Sequence, residues 1–271
     1  MQIIPKSNLH RYIKHYLFID NADHKTRQIR IFADGNTGVV FCIGGCKLYK
    51  NGEKLPDVFL YGQLQDFTTV ETSGCLQLII AVFKPYGLNG MFGIPAWEIN
   101  NKTIDLELML VPAVRNINYI LFCKQSKHQM AEQLNMFFTH ILMARKHELS
   151  DVVLAANDFM LSRKGIFTAK ELTEYTGYGQ RNIERLFKNK VGISPKKLGG
   201  IIKLHYFLGE IRHSNHHNTL TPLVYDAGYY DQAHLIRECR KITGFTPSAY
   251  HLKHFKLAVN VVDLLVENIQ S

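Results

Sequence analysis

The 271-residue chain has one tryptophan, eight prolines and no long apolar run. Its most apolar stretch, LIIAVF at 78–83, falls far short of the roughly 20 residues a membrane helix needs, so no bilayer-spanning segment and no membrane partner are expected. The five cysteines, Cys42, Cys46, Cys75, Cys123 and Cys239, are odd in number and scattered through apolar sequence. That pattern argues against a disulfide frame and fits reduced, buried thiols. The opening MQIIPKSNLHRYIKHY lacks the apolar core and small-residue cleavage site of a secretory signal, so the expected location is the cytoplasm. Missing too are the glycine-rich loops GxxxxGK(S/T) and GxGxxG, which argues against the common phosphate and dinucleotide cradles.

What the sequence does have is positive charge, concentrated in one place. The net charge is +9; residues 163–256 hold 16 Lys+Arg against 7 Asp+Glu, and the remainder holds 16 against 16. A basic segment beside a neutral one points to a polyanion partner, although a well-solvated surface would also account for charge taken alone. With 46% hydrophobic residues, the chain can fill one large core or two ordinary ones.

Residues 28–84 read mainly as strands. IRIF, GVVFCIG, DVFLYG, FTTVET and LQLIIAVF are short, rich in β-branched and aromatic residues, and separated by DGNT, KNGEKLP and TSGC, which is turn chemistry. After KPYGLNGMFGIP the pattern becomes helical. Between Gln129 and Lys146, the residues Met130, Leu134, Phe137, Phe138, Ile141 and Leu142 recur at helical spacing. Such a helix either packs on its own domain or offers a subunit interface. A further helix is expected from Asp151 to Arg163, with Val152, Ala155, Ala156 and Phe159 inward, and the chain reads as helical from there to about His254.

The basic segment contains a repeat. TGFTPSAY at 243–250 nearly copies VGISPKKL at 191–198. Each is a helix stop followed by a helix start: a glycine suited to the left-handed position after the last turn, a Ser or Thr as N-cap, and a proline at the first helical position. Before the first copy, Thr168 and Glu171 have the spacing of a capping box, Gly177 breaks a helix of about eight residues, and a second helix runs over about 180–190. Its inward stripe is Ile183, Leu186 and Phe187; its outward stripe includes Arg181, Glu184, Arg185 and Lys188. Before the second copy, Thr221 and Pro222 start a short helix, Gly228 bends the chain, and Asp231 caps a helix over about 232–243. There Leu235, Cys239 and Ile242 face inward, while Gln232, Ala233, Ile236, Arg237 and Arg240 face out. One residue is inserted between the bend and the second of these helices. Two aligned helix-turn-helix outlines, joined by a helix from Pro195 to about Arg212, give one chain two helices for successive major grooves. The connector carries Gly199, Gly200 and Gly209, which serve either close packing or flexibility.

These residues carry a family resemblance. The stretch from about Asp151 to His254 resembles the DNA-binding domain of AraC/XylS-type transcription regulators, most specifically in DAGYYDQAHLIREC and TGFTPSAY. The resemblance implies base-reading positions at Gln180, Arg181, Glu184 and Arg185 and again at Gln232, Ala233, Ile236 and Arg237. It also implies RNA polymerase as a partner. The sequence departs from the family at Gly179, where a Ser-type cap is usual, at Cys239, a usual Phe site, and at Lys203, a usual Arg. The residue types suit their roles: Arg bonds guanine bidentately, Gln pairs with adenine, and Ile touches a thymine methyl. Arg185 and Arg237 could instead pair with neighbouring carboxylates. Lys188, Lys190, Arg240 and Lys241 are expected at phosphates, which fix register without reading sequence.

The segment FKPYGLNGMFGIPAWEINNKTIDLE at 83–107 resembles, more loosely, the sensory part of some AraC-type regulators, which implies a small β-rich effector or oligomerisation domain followed by helices. Tyr61, Phe83, Tyr86 and Trp97 are its candidate pocket residues, and the same residues suit an ordinary core. The expected fold class is α+β: a small antiparallel β-rich domain with helices over 1–110, a helical connector offering a dimerisation face over 111–150, and an all-α domain of two helix-turn-helix units over 151–271. Double-stranded DNA is the expected partner, with a small-molecule effector and a homodimer as further expectations; no cofactor, no metal and no catalytic residue are expected. The rival from another class is a DNA-repair alkyltransferase using Cys42 or Cys46. The spacing of this pair in FCIGGC, with no second cysteine pair, speaks against it. A zinc site at His213, His216 and His217 in the polar loop RHSNHHNT is a second rival, set against solvated loop histidines. A third reading keeps DNA binding but replaces the small ligand with a protein partner.

Overall fold

The computed structural model describes residues 1–21, 25–109, 117, 120, 121, 126–144, 149–213, 221–252, 256–258 and 260–264. The N-terminal half is built on ten short strands: β1 (Gln2–Ile3), β2 (Ile13–Asn21), β3 (Arg27–Phe32), β4 (Thr37–Cys42), β5 (Lys47–Lys50), β6 (Glu53–Lys54), β7 (Val58–Tyr61), β8 (Phe67–Ser73), β9 (Leu76–Phe83) and β10 (Thr103–Asp105). Two more, β11 (Lys256–Ala258) and β12 (Val261–Asp263), return from the far end of the chain. They form two antiparallel sheets, ordered β1-β2-β9-β4-β7-β10 and β11-β12-β3-β8-β5-β6.

Because side chains alternate along a strand, the first sheet has two buried faces with different partners. Tyr16, Phe18, Val39, Phe41, Ile79, Ala81 and Phe83 pack against helices, whereas Leu17, Ile19, Val40, Cys42, Leu78 and Val82 face the second sheet. The helical cover is α1 (Gly87–Phe92) and α2 (Lys127–Met143). Ser126 and Gln129 close a capping box at the start of α2, which satisfies two otherwise orphaned amides. Leu134, Phe137, Phe138 and Ile141 are all buried in this core, and each contributes about 1.5–3 kcal/mol relative to exposure. The apolar stripe of α2 therefore packs within its own half, and the large apolar side chains the helix leaves exposed are Met136 and Met143.

The C-terminal half is helical: α3 (Asp151–Ser162), α4 (Ala169–Thr176), α5 (Gln180–Lys190), α6 (Pro195–His213), α7 (Thr221–Asp226), α8 (Gln232–Thr243) and α9 (Pro247–Leu252). A second core gathers their inward residues, among them Phe187, Leu198, Leu204, Phe207, Leu235 and Tyr250. Phe32 at the end of β3, Ala33 just after it, Tyr86 and Val262 of β12 join that core, so the halves share packed surface.

The architecture is α+β as expected, with three differences of detail. The longest strand, β2, lies before the stretch read as strands, because Lys14 and His15 interrupt its apolar pattern. The segment KNGEKLP holds, besides its turn, the short strand β6 paired with β5. Residues beyond His254 include β11 and β12, which belong to the sheet and not to the helical bundle. The expected connector over 111–150 is described only at 117, 120, 121, 126–144, 149 and 150; its other residues lie outside the described residues, as do His216, His217 and the side chain of His213.

Candidate nucleic-acid interface and effector cavity

The first unit is α4, a turn and α5. Thr168 accepts from the Glu171 amide at 3.2 Å while Glu171 accepts from the Thr168 amide at 2.7 Å, the reciprocal pair that the spacing predicts. Gly177 ends α4 with φ +71. Then α5 begins at Gln180 with Gly179 as an N-cap that supplies no side-chain bond. Ile183 and Phe187 are buried beneath α5, while Gln180, Arg181, Glu184, Arg185 and Lys188 are exposed and Lys190 is half-buried. Gln180 donates to Glu184 at 2.9 Å and Arg185 to the Asn182 side chain at 3.0 Å. The carboxylate pairing considered for Arg185 is therefore replaced by an amide contact.

The second unit repeats the plan in α7, a turn and α8. Asp231 caps α8 by accepting from the His234 amide at 2.6 Å. Leu235, Cys239 and Ile242 are buried, and Gln232, Ala233, Ile236, Arg237, Arg240 and Lys241 are exposed. Among the described residues, no ion pair occupies Arg181, Arg185, Arg237, Arg240 or Lys241. All eight residues expected to read bases thus lie on the two exposed faces. Of the four expected phosphate contacts, all but half-buried Lys190 are exposed. Lys188, Lys190, Arg240 and Lys241 also occupy last turns, where positive charge favours the helix dipole.

Between the units, α6 has 19 residues, about 28 Å of helix at 1.5 Å each. Lys203 on α6 pairs with Glu238 on α8 at 3.8 Å, so the residue standing at the family's arginine position ties the connector to the second recognition helix. The connector glycines serve close packing or open space: a Cβ at Gly199 would meet the Phe167 ring at 2.5 Å, whereas one at Gly209 would meet nothing within 4 Å.

The repeated stop signals have a second role. Gly192 and Gly244, at φ +92 and +76, adopt the left-handed backbone that glycine alone reaches without strain. Ser194 and Thr246 then cap α6 and α9, accepting from the Lys197 and Ala249 amides at 3.2 and 3.1 Å. Both glycines also touch the N-terminal half. The Gly192 carbonyl accepts from the Asn100 side chain at 2.6 Å, beside the 3-10 helix Ala96–Ile99. The Gly244 carbonyl accepts from Arg30 Nη1 at 3.4 Å, and the Arg30 guanidinium lies between the Phe67 and Phe245 rings, 4.8 and 4.6 Å from their centroids. The two recognition helices are thus held at their C-terminal ends by two different parts of the β-rich half.

Between the two sheets, and open toward α6, lies a cavity of about 640 Å³. Its walls are apolar: Leu17, Ile29, Ile31, Val40, Phe59 and Val70 among others. Among the described residues, Lys14, Lys50, Lys102 and Lys164 line it with a single carboxylate, Asp34, and α6 contributes Ile202, His205, Tyr206 and Gly209. Lys164 bonds the Tyr206 hydroxyl at 2.5 Å, and His205 Nε2 donates to the Ala33 carbonyl at 2.7 Å. Burial pushes the His205 pKa down, against smaller upward pulls from Asp34 and from the Ala33 carbonyl.

Of the four candidate pocket residues, only Tyr61 lines the cavity. Phe83 lies on the opposite face of β9, packed 5.6 Å from the Phe138 ring. Tyr86 is buried in the helical core, where burial pushes its pKa up to about 12. Trp97 is exposed and carries the Lys188 ammonium 5.6 Å from its ring centroid. The lysines and α6 residues of the cavity carry no local sequence signal, since they converge from β2, β5, the segment before β10, the turn after α3 and α6. Cys42 and Cys46 are both buried, and no group of three metal-ligating side chains occurs among the described residues. No described helix is long and apolar enough to cross a membrane.

Comparison with known proteins agrees with this geometry. Residues 172–253 match the family described as a helix-turn-helix domain, and residues 1–105 match a domain of unknown function. No curated protein matches the chain. Among solved structures, similar chains are ToxT from Vibrio cholerae. An apo variant from strain SCE256 is 11% identical, covering 88% of this chain and 96% of that one at a TM-score of 0.47. ToxT from strain O395 is 10% identical, covering 87% and 96% at 0.46. A third, described as unsaturated fatty acid bound, is 11% identical, covering 87% and 94% at 0.43. Overlaps this loose carry no argument about what the present chain binds. The helix-turn-helix match, on two units with exposed basic faces, makes the helical half the DNA-binding part of a transcription regulator.

Proposed function

We propose, starting from the AraC-type helix-turn-helix domain at residues 172–253, that the protein reads a specific duplex with α5 and α8 in successive major grooves, under control of a ligand in the inter-sheet cavity. The observation that carries the reading is the pair of exposed faces, each presenting arginine and glutamine near the helix start and lysine or arginine near its end. Gln180, Arg181, Glu184 and Arg185, with Gln232, Ala233, Ile236 and Arg237, read base edges; Lys188, Lys190, Arg240 and Lys241 meet phosphates. The connector is shorter than the 34–36 Å or so between neighbouring groove faces, so the DNA bends toward the protein or the helices enter at an angle.

Residues 1–110 serve as effector domain, 111–150 as connector and dimerisation region, and 151–271 as DNA-binding segment, with β11 and β12 lent to the sheet. The cavity takes a small molecule with an apolar body and an anionic end, because its walls are apolar while its charged groups are four lysines against one aspartate. A protein partner in place of the ligand would leave such a cavity without a purpose. In this reading the protein works in the cytoplasm, meets RNA polymerase at its sites, binds as a dimer and carries out no catalytic step.

The test is selection of bound duplexes from a random pool by the full chain, followed by titration of the selected duplex at several salt concentrations. The expected result is a defined consensus and a log-log salt slope of about −0.9 for each phosphate neutralised. Recovery of no consensus, or affinity indifferent to salt, overturns the reading. Sedimentation with and without that duplex tests the dimer.

A further inference from the structure

β3 carries two kinds of side chain on its two faces. Ile29 and Ile31 point between the sheets and line the cavity. Arg30 and Phe32 point the other way, into the helical half. Phe32 lies 6.0 Å from the Tyr250 ring of α9, edge to face, and 5.7 Å from the His205 imidazole of α6. Arg30 holds the Gly244 carbonyl, the stop of α8, between the Phe67 and Phe245 rings. The strand is hydrogen-bonded on both sides, to β8 through six residue pairs and to β12 through three. A strand paired on both edges moves as a unit, so the cavity wall and the seat of the second recognition helix cannot shift separately.

The clamp on its outer edge belongs to the DNA-binding segment. β12 follows α9, and its Val261 lines the cavity together with Asn260 just before it. Its Asp263 forms a buried ion pair with Arg27 at the start of β3, a pairing that is strongly destabilising to break from one side. The Asn260 carbonyl accepts from the Phe32 amide at 3.1 Å and the Gln28 carbonyl from the Leu264 amide at 2.8 Å. The first recognition helix is tied differently: Asn100 and the 3-10 helix Ala96–Ile99, which hold it, do not line the cavity, and only the neighbouring segment Asn101–Thr103 reaches its rim.

We infer that β3 is the strand through which occupancy of the cavity sets the position of the second recognition helix, with Arg30 as the positioning residue. The inference rests on the reading of the cavity as an effector site. A ligand that binds more tightly with β3 in one position favours that position of α8 by the same free energy, and DNA that fits this position returns the favour to the ligand.

The experiment uses the full chain, a duplex it selects, and anilinonaphthalene sulfonate, whose apolar rings and single anionic group match the cavity and whose fluorescence reports occupancy. In the wild type, saturating probe changes duplex affinity by about fivefold or more. In Arg30→Gln, probe affinity stays within about twofold while the change in duplex affinity on adding probe falls below about twofold. Phe67→Leu, which keeps the charge but removes one ring, gives an intermediate ratio and serves if Arg30→Gln fails to fold. Asn100→Ala, which removes the side-chain hydrogen bond at the end of the first recognition helix, keeps the wild-type ratio. Probe binding with a wild-type ratio in folded Arg30→Gln or Phe67→Leu overturns this inference and leaves the effector reading standing. A wild type that binds no probe overturns both.

Discussion

The two helix-turn-helix units follow one plan and are secured differently. The first is closed by Phe187, fully buried under α5, and by a complete capping box on α4, yet its recognition helix starts at Gly179 with no side-chain cap. The second places Cys239 at the position corresponding to Phe187's role, where its backbone carbonyl accepts from the Thr243 hydroxyl at 2.7 Å, but it caps α8 with Asp231. The first is fastened to Asn100, which stays out of the cavity lining although Asn101 beside it belongs to it, and the second to Arg30 on β3, whose Ile29 and Ile31 line the cavity. Under the proposed function, a duplicated reader divides its labour: one copy gives a fixed purchase on DNA, and the other a purchase that depends on occupancy of the cavity.

The sharpest way to break this comparison is in the cores. Phe187→Ala should cost about 3–5 kcal/mol of stability, whereas Cys239→Ala should cost about 1 kcal/mol; urea denaturation of both variants measures the difference, and equal losses would mean that the two cores are equivalent. The reading faces come next. Arg181→Ala and Arg237→Ala should each cost about 1–3 kcal/mol on the selected duplex and relax preference at the base pairs they read. Lys241→Ala should weaken all sequences alike and make the salt slope shallower by about one unit. If Arg181→Ala behaves like Lys241→Ala in titrations on selected and scrambled duplexes, Arg181 is a phosphate contact.

The caps are a smaller test. A Cβ at Gly179 would meet nothing within 4 Å, and φ −63 there suits any residue, so Gly179→Ser should stabilise by a few tenths of a kcal/mol and Asp231→Ala should destabilise by about 1 kcal/mol. Thermal melts would show whether the signs are indeed opposite. The smallest effect concerns acidity. Burial lowers the folded-state pKa of His205 below its ordinary value near 6.5, so the unfolded chain takes up the proton first. The contribution of the neutral ring is present above about pH 6.5 and is lost as pH falls below it. Burial lowers the His15 pKa in the same direction, to about 4, with Lys14 adding to the shift and Asp34 opposing it. Melting temperature should fall between pH 7.5 and 5.5, and His205→Gln should fall less; an identical fall would remove His205 from the account.

The helical half was legible because its signals are local. Caps, left-handed glycines and the one-residue insertion act within a few positions, and α5 and α8 begin and end where Gly179, Lys190, Asp231 and Gly244 indicate. The β-rich half was legible only in part. β12 is three residues long and exists because β3 offers it an edge, a fact of tertiary structure that VVD does not announce. The cavity is set by strand parity: Val82 lines it and Phe83 does not, although the aromatic ring looked the better candidate. Lys14, Lys102 and Lys164 are ordinary surface lysines until the fold brings them to one opening.

The placement of β12 also orders events in time. A ribosome makes the ten strands of the sheets first, then both reading helices, and only afterwards the strand that pairs with the free edge of β3. During synthesis the β-rich half therefore keeps an open flank at β3, and the helical core still lacks Val262, which is buried in it. One late strand thus completes two things at once, the cavity wall through Val261 and the core beneath the helices through Val262.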